Sequence, residues 1–220
     1  MRADLHVHSI HSEDNHLSVK EIIVTCRHLG IEAVAIADHN SLAGSEEARG
    51  LPHEGLVLVP AMELTTQEGH VVAYNISEEV ERDLPVGEAI DRIHAQGGMA
   101  VAAHPFRRGT GLGQHVVRSN RFDALEGMNA RSTSRGNARA VDLADSIGLP
   151  ITGGSDAHNV TSIGRGVTVV PVDCADADEL LRIIKEHHSS VEGMSRGRRQ
   201  SVAYATKVVR DWAGRGFKKI

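Results

Sequence analysis

The feature that most constrains how this chain can fold is a recurrent one: short apolar runs that each meet a histidine or a carboxylate. Ala33-Val34-Ala35-Ile36-Ala37 runs into Asp38-His39, Leu56-Val57-Leu58-Val59 leads to Glu63, and His70 opens Val71-Val72-Ala73-Tyr74. Met99-Ala100-Val101-Ala102-Ala103 ends in His104-Pro105, and Leu149-Pro150-Ile151-Thr152 ends in Gly153-Gly154-Ser155-Asp156-Ala157-His158. The first run, Ala3 to Ile10, carries His6 and His8, and side chains two apart on a strand point the same way. Between the runs lie helical patterns. Ser18-Val19-Lys20-Glu21 reads as a capping box, Ile22, Ile23, Cys26 and Leu29 fall on one stripe, and Gly30 supplies a stop.

Taken along the chain, strands are expected at 33–37, 56–60, 70–76, 99–103, 122–128, 149–153 and 166–172, with a short one near 190–194. Helices are expected near 45–49, 86–96, 135–147 and 177–187, with a basic terminal helix at about 200–215. Such alternation means an α/β fold of parallel strands joined by helical crossovers, and 220 residues suit a single barrel domain spanning 1–220. In a barrel the loops after the strands gather on one face, so the ligand-type side chains at strand ends would converge there.

Composition sharpens this. Aromatics make up only 3% of the chain, so the core must be built from Val, Ile, Leu and Ala, and base stacking on aromatic platforms is hard to support. Fourteen histidines exceed what packing needs, and their clustering at the ends of apolar runs argues for metal chemistry. Cys26 and Cys174 are isolated and read as reduced core thiols. With no leader-like start and no long apolar run, a cytoplasmic protein without membrane contact is expected. The net charge of −5 hides an asymmetry: from Arg196 onward the chain carries +7, leaving −12 to the rest, much of it for bound metal to offset.

The ordered set His6-Val7-His8, Asp38-His39, Glu63, His70, His104-Pro105 and Gly154-Ser155-Asp156-Ala157-His158 resembles the polymerase and histidinol phosphatase (PHP) family of metal-dependent phosphoesterases over roughly residues 3 to 172. The chain departs from the family at Ala37, where threonine is commoner, and at Glu13-Asp14-Asn15, where members usually carry Ser-Asp-Gly. The resemblance implies a distorted (β/α)7 TIM-like barrel, the PHP fold, and a centre of two or three divalent transition metals. His6, His8 and Asp156 would hold one ion, sharing Glu63 with a second that His70 and His104 complete. His39, His158 and an acidic residue, Asp14 or Glu13, would hold a third. Mixed imidazole and carboxylate donors suit Mn, Fe or Zn.

A hydroxide bridging two ions would then be the nucleophile, with Glu63 as the bridging carboxylate and His11 a candidate general acid. Arg107 and Arg108, directly after His104-Pro105-Phe106, are candidate phosphate ligands, with Arg131, Arg165 and Asn129 as further substrate contacts. The expected substrate is a small phosphorylated molecule or a short nucleotide, nucleic acid entering only as substrate. Two other readings stay open: an amidohydrolase-type metallohydrolase, and a non-catalytic metal-binding accessory module. Oligomeric state is not legible.

Overall fold

The computed structural model describes residues 1–195, so the basic helix expected at about 200–215 lies outside the described residues. In chain order the elements are β1 (Arg2–Val7), α1 (Val19–His28), β2 (Ala33–His39), α2 (Ala43–Arg49), β3 (Val57–Thr65), β4 (His70–Tyr74), α3 (Val86–Ala95) and β5 (Met99–Ala102). There follow α4 (Gly113–Ser119), β6 (Ala124–Asn129), α5 (Ser134–Ile147), β7 (Ile151–Gly154), β8 (Gly166–Val169), α6 (Ala177–Lys185) and β9 (Ser190–Gly193). Among the described residues the strands form one sheet in the order β7-β6-β5-β4-β3-β2-β1-β8-β9. It curls into a nearly closed, distorted TIM-like barrel.

The expectation of uniformly parallel strands is corrected. β4 runs antiparallel to both β3 and β5, because only the turn Thr66–Gly69 joins it to β3, and a parallel connection needs a dozen residues or more. β8 and β9 are likewise antiparallel, to β1 and to each other. A helix missed in the sequence, α4, is seven residues long with Val117 as its one buried position, too short and too polar for a periodic signal. The capping box at Ser18 and Glu21 forms as expected.

The sheet has two apolar faces, and strand parity separates them. Ala3, Leu5, Ala33, Ala35, Ala37, Val59, Ala61, Val72, Tyr74, Val101 and Ala124 fill the inside, with Leu180, Leu181 and Ile184 of α6 among them. The alternate residues Met62, Leu64, Val71, Ala73, Ala100, Ala102 and Leu125 pack outward under α3 and α5. A second outer layer places Val34 and Ile36 against Ile22, Ile23 and Cys26 of α1. So many interior alanines make a narrow barrel, which the scarcity of aromatics required. Each fully buried Val, Leu or Ile contributes roughly 1.5–3 kcal/mol.

The barrel closes between β1 and the segment after β7 without a regular ladder. Asp156 N–H donates to His6 O at 2.6 Å and His8 N–H to Ala157 O at 3.1 Å, while beside them Gly153 N–H of β7 donates to Thr168 Oγ1 of β8 at 2.7 Å. Glycine makes this approach feasible: a Cβ on Gly154 would lie 2.3 Å from the His6 Cβ and 2.8 Å from its backbone nitrogen.

Candidate metal centre

Parity continues from the barrel interior into the site. Glu63 follows Val59 and Ala61 on the inward face of β3, and His39 follows Ala33, Ala35 and Ala37 on that of β2. His70 precedes Val72 and Tyr74 on β4. It sits at the beginning of its strand, not the end; the antiparallel direction of β4 brings it to the same rim as the strand ends around it.

On β1 the register slips, with Asp4 opposite Val34 but Val7 opposite Ile36, so one extra residue is accommodated. The bulge reverses parity. Leu5 points inward and Val7 outward under α1, which leaves His6 and His8 facing the barrel.

Glu63 is the hub. It is 1% exposed, and its Oε1 lies 2.9 Å from His70 Nδ1 and 2.7 Å from His104 Nε2. Its Oε2 faces His39 Nδ1 at 3.1 Å, His8 Nε2 at 3.4 Å and His6 Nε2 at 3.5 Å. Asp156 Oδ1 is 3.5 Å from His8 Nε2 and 3.6 Å from His158 Nδ1. Asp14 Oδ2 is 3.0 Å from His158 Nε2, whereas its neighbour Glu13 is exposed.

Electrostatics follow from this crowding. Burial alone would raise the Glu63 carboxyl, but His70, His6 and His39 hold it well below the usual range. Burial opposes ionisation of Asp156 too, and Arg107 and then Arg131 overcome it and hold the carboxyl low. Burial and the nearby His158 and His39 push His8 well down, and burial with Arg107 lowers His104 to about 4. For His6 burial is outweighed by Glu126, Glu63 and Asp156, and its value rises well above the ordinary one.

These residues fit divalent metal ions. Three groups, His6/His8/Glu63, His39/Glu63/His70 and His8/His39/His158, each bring ligand atoms within 4.8 Å of one another. The buried Nδ1 of His104 and Oδ1 of Asp14 have no hydrogen-bond partner. The His6 and His8 Nε2 atoms face each other at 3.2 Å, and the His8 ring lies 4.4 Å from that of His158 and 4.6 Å from that of His39, centroid to centroid. Imidazoles so packed turn ring nitrogens toward one another, and a cation among them gives those nitrogens a common partner.

The remaining candidates divide. Arg107 reaches in, donating to Asn129 Oδ1 at 2.6 Å and to Asp156 Oδ2. Arg131 donates to Asp156 Oδ1 at 2.9 Å. Arg108 is exposed, Arg165 is exposed and donates to Thr161 O, and His11 pairs with the half-exposed Glu47 at 2.7 Å, so none of these three joins the cluster. Asn129 is spent on the protein itself: its Nδ2 donates to Glu126 and Asp156, and its Oδ1 accepts from Arg107 and from the Arg131 backbone. Asp38 turns outward, as a neighbour of His39 on a strand must, and accepts from Ser9 and Ser12.

One buried residue escaped sequence reasoning. Glu126 lies three before Asn129, and simple alternation puts the two on opposite faces. The register of β6 slips between Glu126 and Met128, so both point inward. The available signal was a lone carboxylate and a glycine inside an apolar strand.

Residues 4–81 match the family model described as PHP domain, and residues 134–188 match the one described as PHP-associated. The chain is 31% identical over 174 residues to the uncharacterized protein MJ0417 of Methanocaldococcus jannaschii, covering 75% of this chain and 68% of that one. It is 34% identical over 117 residues to MJ1587 of the same organism, covering 48% of this chain and 68% of that one. In structure it is similar to a two-domain protein from Bacteroides vulgatus containing a predicted PHP-like metal-dependent phosphoesterase, with a TM-score of 0.75 at 16% identity over 94% of this chain and 69% of that one.

Proposed function

We propose that this chain, which belongs to the PHP family, is a metal-dependent phosphoesterase that hydrolyses a phosphate ester of a small molecule or short nucleotide. The observation that carries the reading is Glu63, a buried carboxylate with one oxygen toward two imidazoles and the other toward three, as a residue shared between two ions requires. His6, His8 and Asp156 would hold one ion with Glu63, His70 and His104 a second with it, and Asp14, His39 and His158 a third. When bound, Mn, Fe or Zn supplies Lewis acidity toward phosphoryl oxygens and a water that ionises near neutral pH.

The chain's own residues supply charge and placement. Arg107 leaves the end of β5 two residues after Pro105, whose ring fixes its backbone, and its guanidinium reaches the centre beside Asp156. With Arg131 next to it, fixed positive charge lies where a phosphate would be gripped. This favours phosphate over the uncharged carbonyl of an amidohydrolase substrate. Convergence of all the ligand-type residues favours an enzyme over an accessory module.

A phosphate-release screen against phosphomonoesters and short nucleotides, with Mn, Fe or Zn added, tests the reading. Metal-dependent release is expected. Turnover of an uncharged amide or ester in preference to every phosphoester would overturn the substrate class, and no turnover with bound ions would favour the accessory module.

A further inference from the structure

Glu126 forms the back wall of the centre. It is 3% exposed, its Oε1 lies 2.9 Å from His6 Nδ1, and its Oε2 accepts the His104 backbone N–H at 2.7 Å. Asn129 Nδ2 donates to both oxygens at 3.1 Å and to Asp156 Oδ2 at 3.0 Å. One carboxylate thus links β1, the end of β5 and, through Asn129, the segment after β7. What it takes from His6 is the ring nitrogen turned away from the centre. The other, Nε2, faces His8 Nε2 at 3.2 Å and Glu63 Oε2 at 3.5 Å.

A carboxylate that accepts Nδ1–H fixes the tautomer and orientation of an imidazole and makes Nε2 a stronger donor to an ion. His8 has a different arrangement. Its Nδ1 meets the Ser12 hydroxyl at 3.1 Å, and Ser12 in turn donates to Asp38 at 2.7 Å, so the negative charge stands one bond further off.

We propose that Glu126 is a positioning residue of the metal centre, acting through His6: it holds the ring with Nε2 toward the ion shared with His8 and Asp156, without itself touching an ion. The inference rests on the reading of the site as a metal centre. It explains why a charged residue is kept inside a narrow barrel wall, and why β6 bulges to bring Glu126 and Asn129 to one face.

The test is equilibrium ion affinity, measured with Co(II) and Zn(II) against a chromophoric chelator, in the parent, Glu126→Gln, His6→Ala and the double variant. Circular dichroism of the ion-free proteins checks the fold. Removing such an outer carboxylate typically costs 10–100-fold in metal affinity, so Glu126→Gln should weaken at least one equivalent by about that factor and alter the Co(II) visible spectrum. In the His6→Ala background the same substitution should change affinity less than about threefold, because its target is gone. If Glu126→Gln does not fold, Glu126→Asp, which keeps the charge but draws it back by one methylene, is read the same way.

Affinities and spectrum equal to the parent's would overturn this inference alone. An equal loss with and without His6 would also overturn it, assigning Glu126 to the barrel wall rather than to His6. A parent that takes up no ion would remove the metal reading and this inference together.

Discussion

At the scale of single residues, the account turns on charge placed where burial would otherwise forbid it. Arg107 is aimed at Asp156 and Arg108 at solvent, although the two are adjacent, because the chain turns directly after β5: the Arg107 N–H donates to His104 O at 2.9 Å and the Gly111 N–H to Arg107 O at 3.0 Å. Loss of one charged hydrogen-bonding contact costs about 1.5–3 kcal/mol, so Arg107→Ala should lose about tenfold to a hundredfold in kcat/KM on the best phosphoester. Arg108→Ala should stay within about threefold and keep its metal content, whereas Arg107→Ala also removes a bond to Asp156 and should weaken the ion that Asp156 would hold; steady-state kinetics with elemental analysis checks this. Cys26 offers a separate test. It lies fully buried on the face of α1 that packs against the sheet, and burial, with Asp4 nearby, pushes its thiol well above the ordinary range. Thiolate is the reactive form, so a thiol reagent at pH 8 should label Cys26 in denaturant and leave it unmodified in the folded chain, as mass spectrometry of peptides would show.

At the scale of elements, the barrel's seam depends on glycine. Gly154→Ala sets a methyl 2.3 Å from the His6 Cβ, and forcing such contacts costs about 1–3 kcal/mol. Chemical denaturation should show that loss, and ion affinity should fall with it, because the strand displaced carries His6. Gly44→Ala should act on the other side of the sheet, where a Cβ would fall 2.0 Å from Asp38 Oδ2 and dislodge the support of Ser9 and Ser12. The elements also show where the sequence is a sufficient guide. Apolar runs and the capping box give strands and helices directly, and the inward parity of Glu63 and His39 follows from alternation. Two-residue periodicity cannot reveal that it is interrupted. The bulges in β1 and β6 exist because neighbouring strands of a curled sheet fall out of step, and they decide where His6, His8 and Glu126 point. The direction of β4 was implicit in the absence of any helix between Glu63 and His70. Its consequence, a ligand-type residue at a strand's beginning on the functional rim, needed the fold.

For the molecule as a whole, fold and site are one arrangement. A narrow barrel lined by alanine and valine ends in a ring of imidazoles around the Glu63 carboxylate, and no described helix is long and apolar enough to cross a membrane. Ions that bind the folded chain alone should stabilise it by about 2.7 kcal/mol at a hundred times their Kd. For a chain of this size each kcal/mol is worth roughly 2–4 °C, so Mn or Zn should raise Tm by about 5–10 °C over chelator-treated protein in a calorimetric scan. The most direct measurement is the number of ions bound per chain, by elemental analysis after dialysis against Mn, Fe or Zn, for the parent and for Glu63→Gln. The account predicts two or three equivalents in the parent and loss of the pair that shares Glu63 in the variant. A parent that binds none, or a variant that binds as many as the parent, would contradict it.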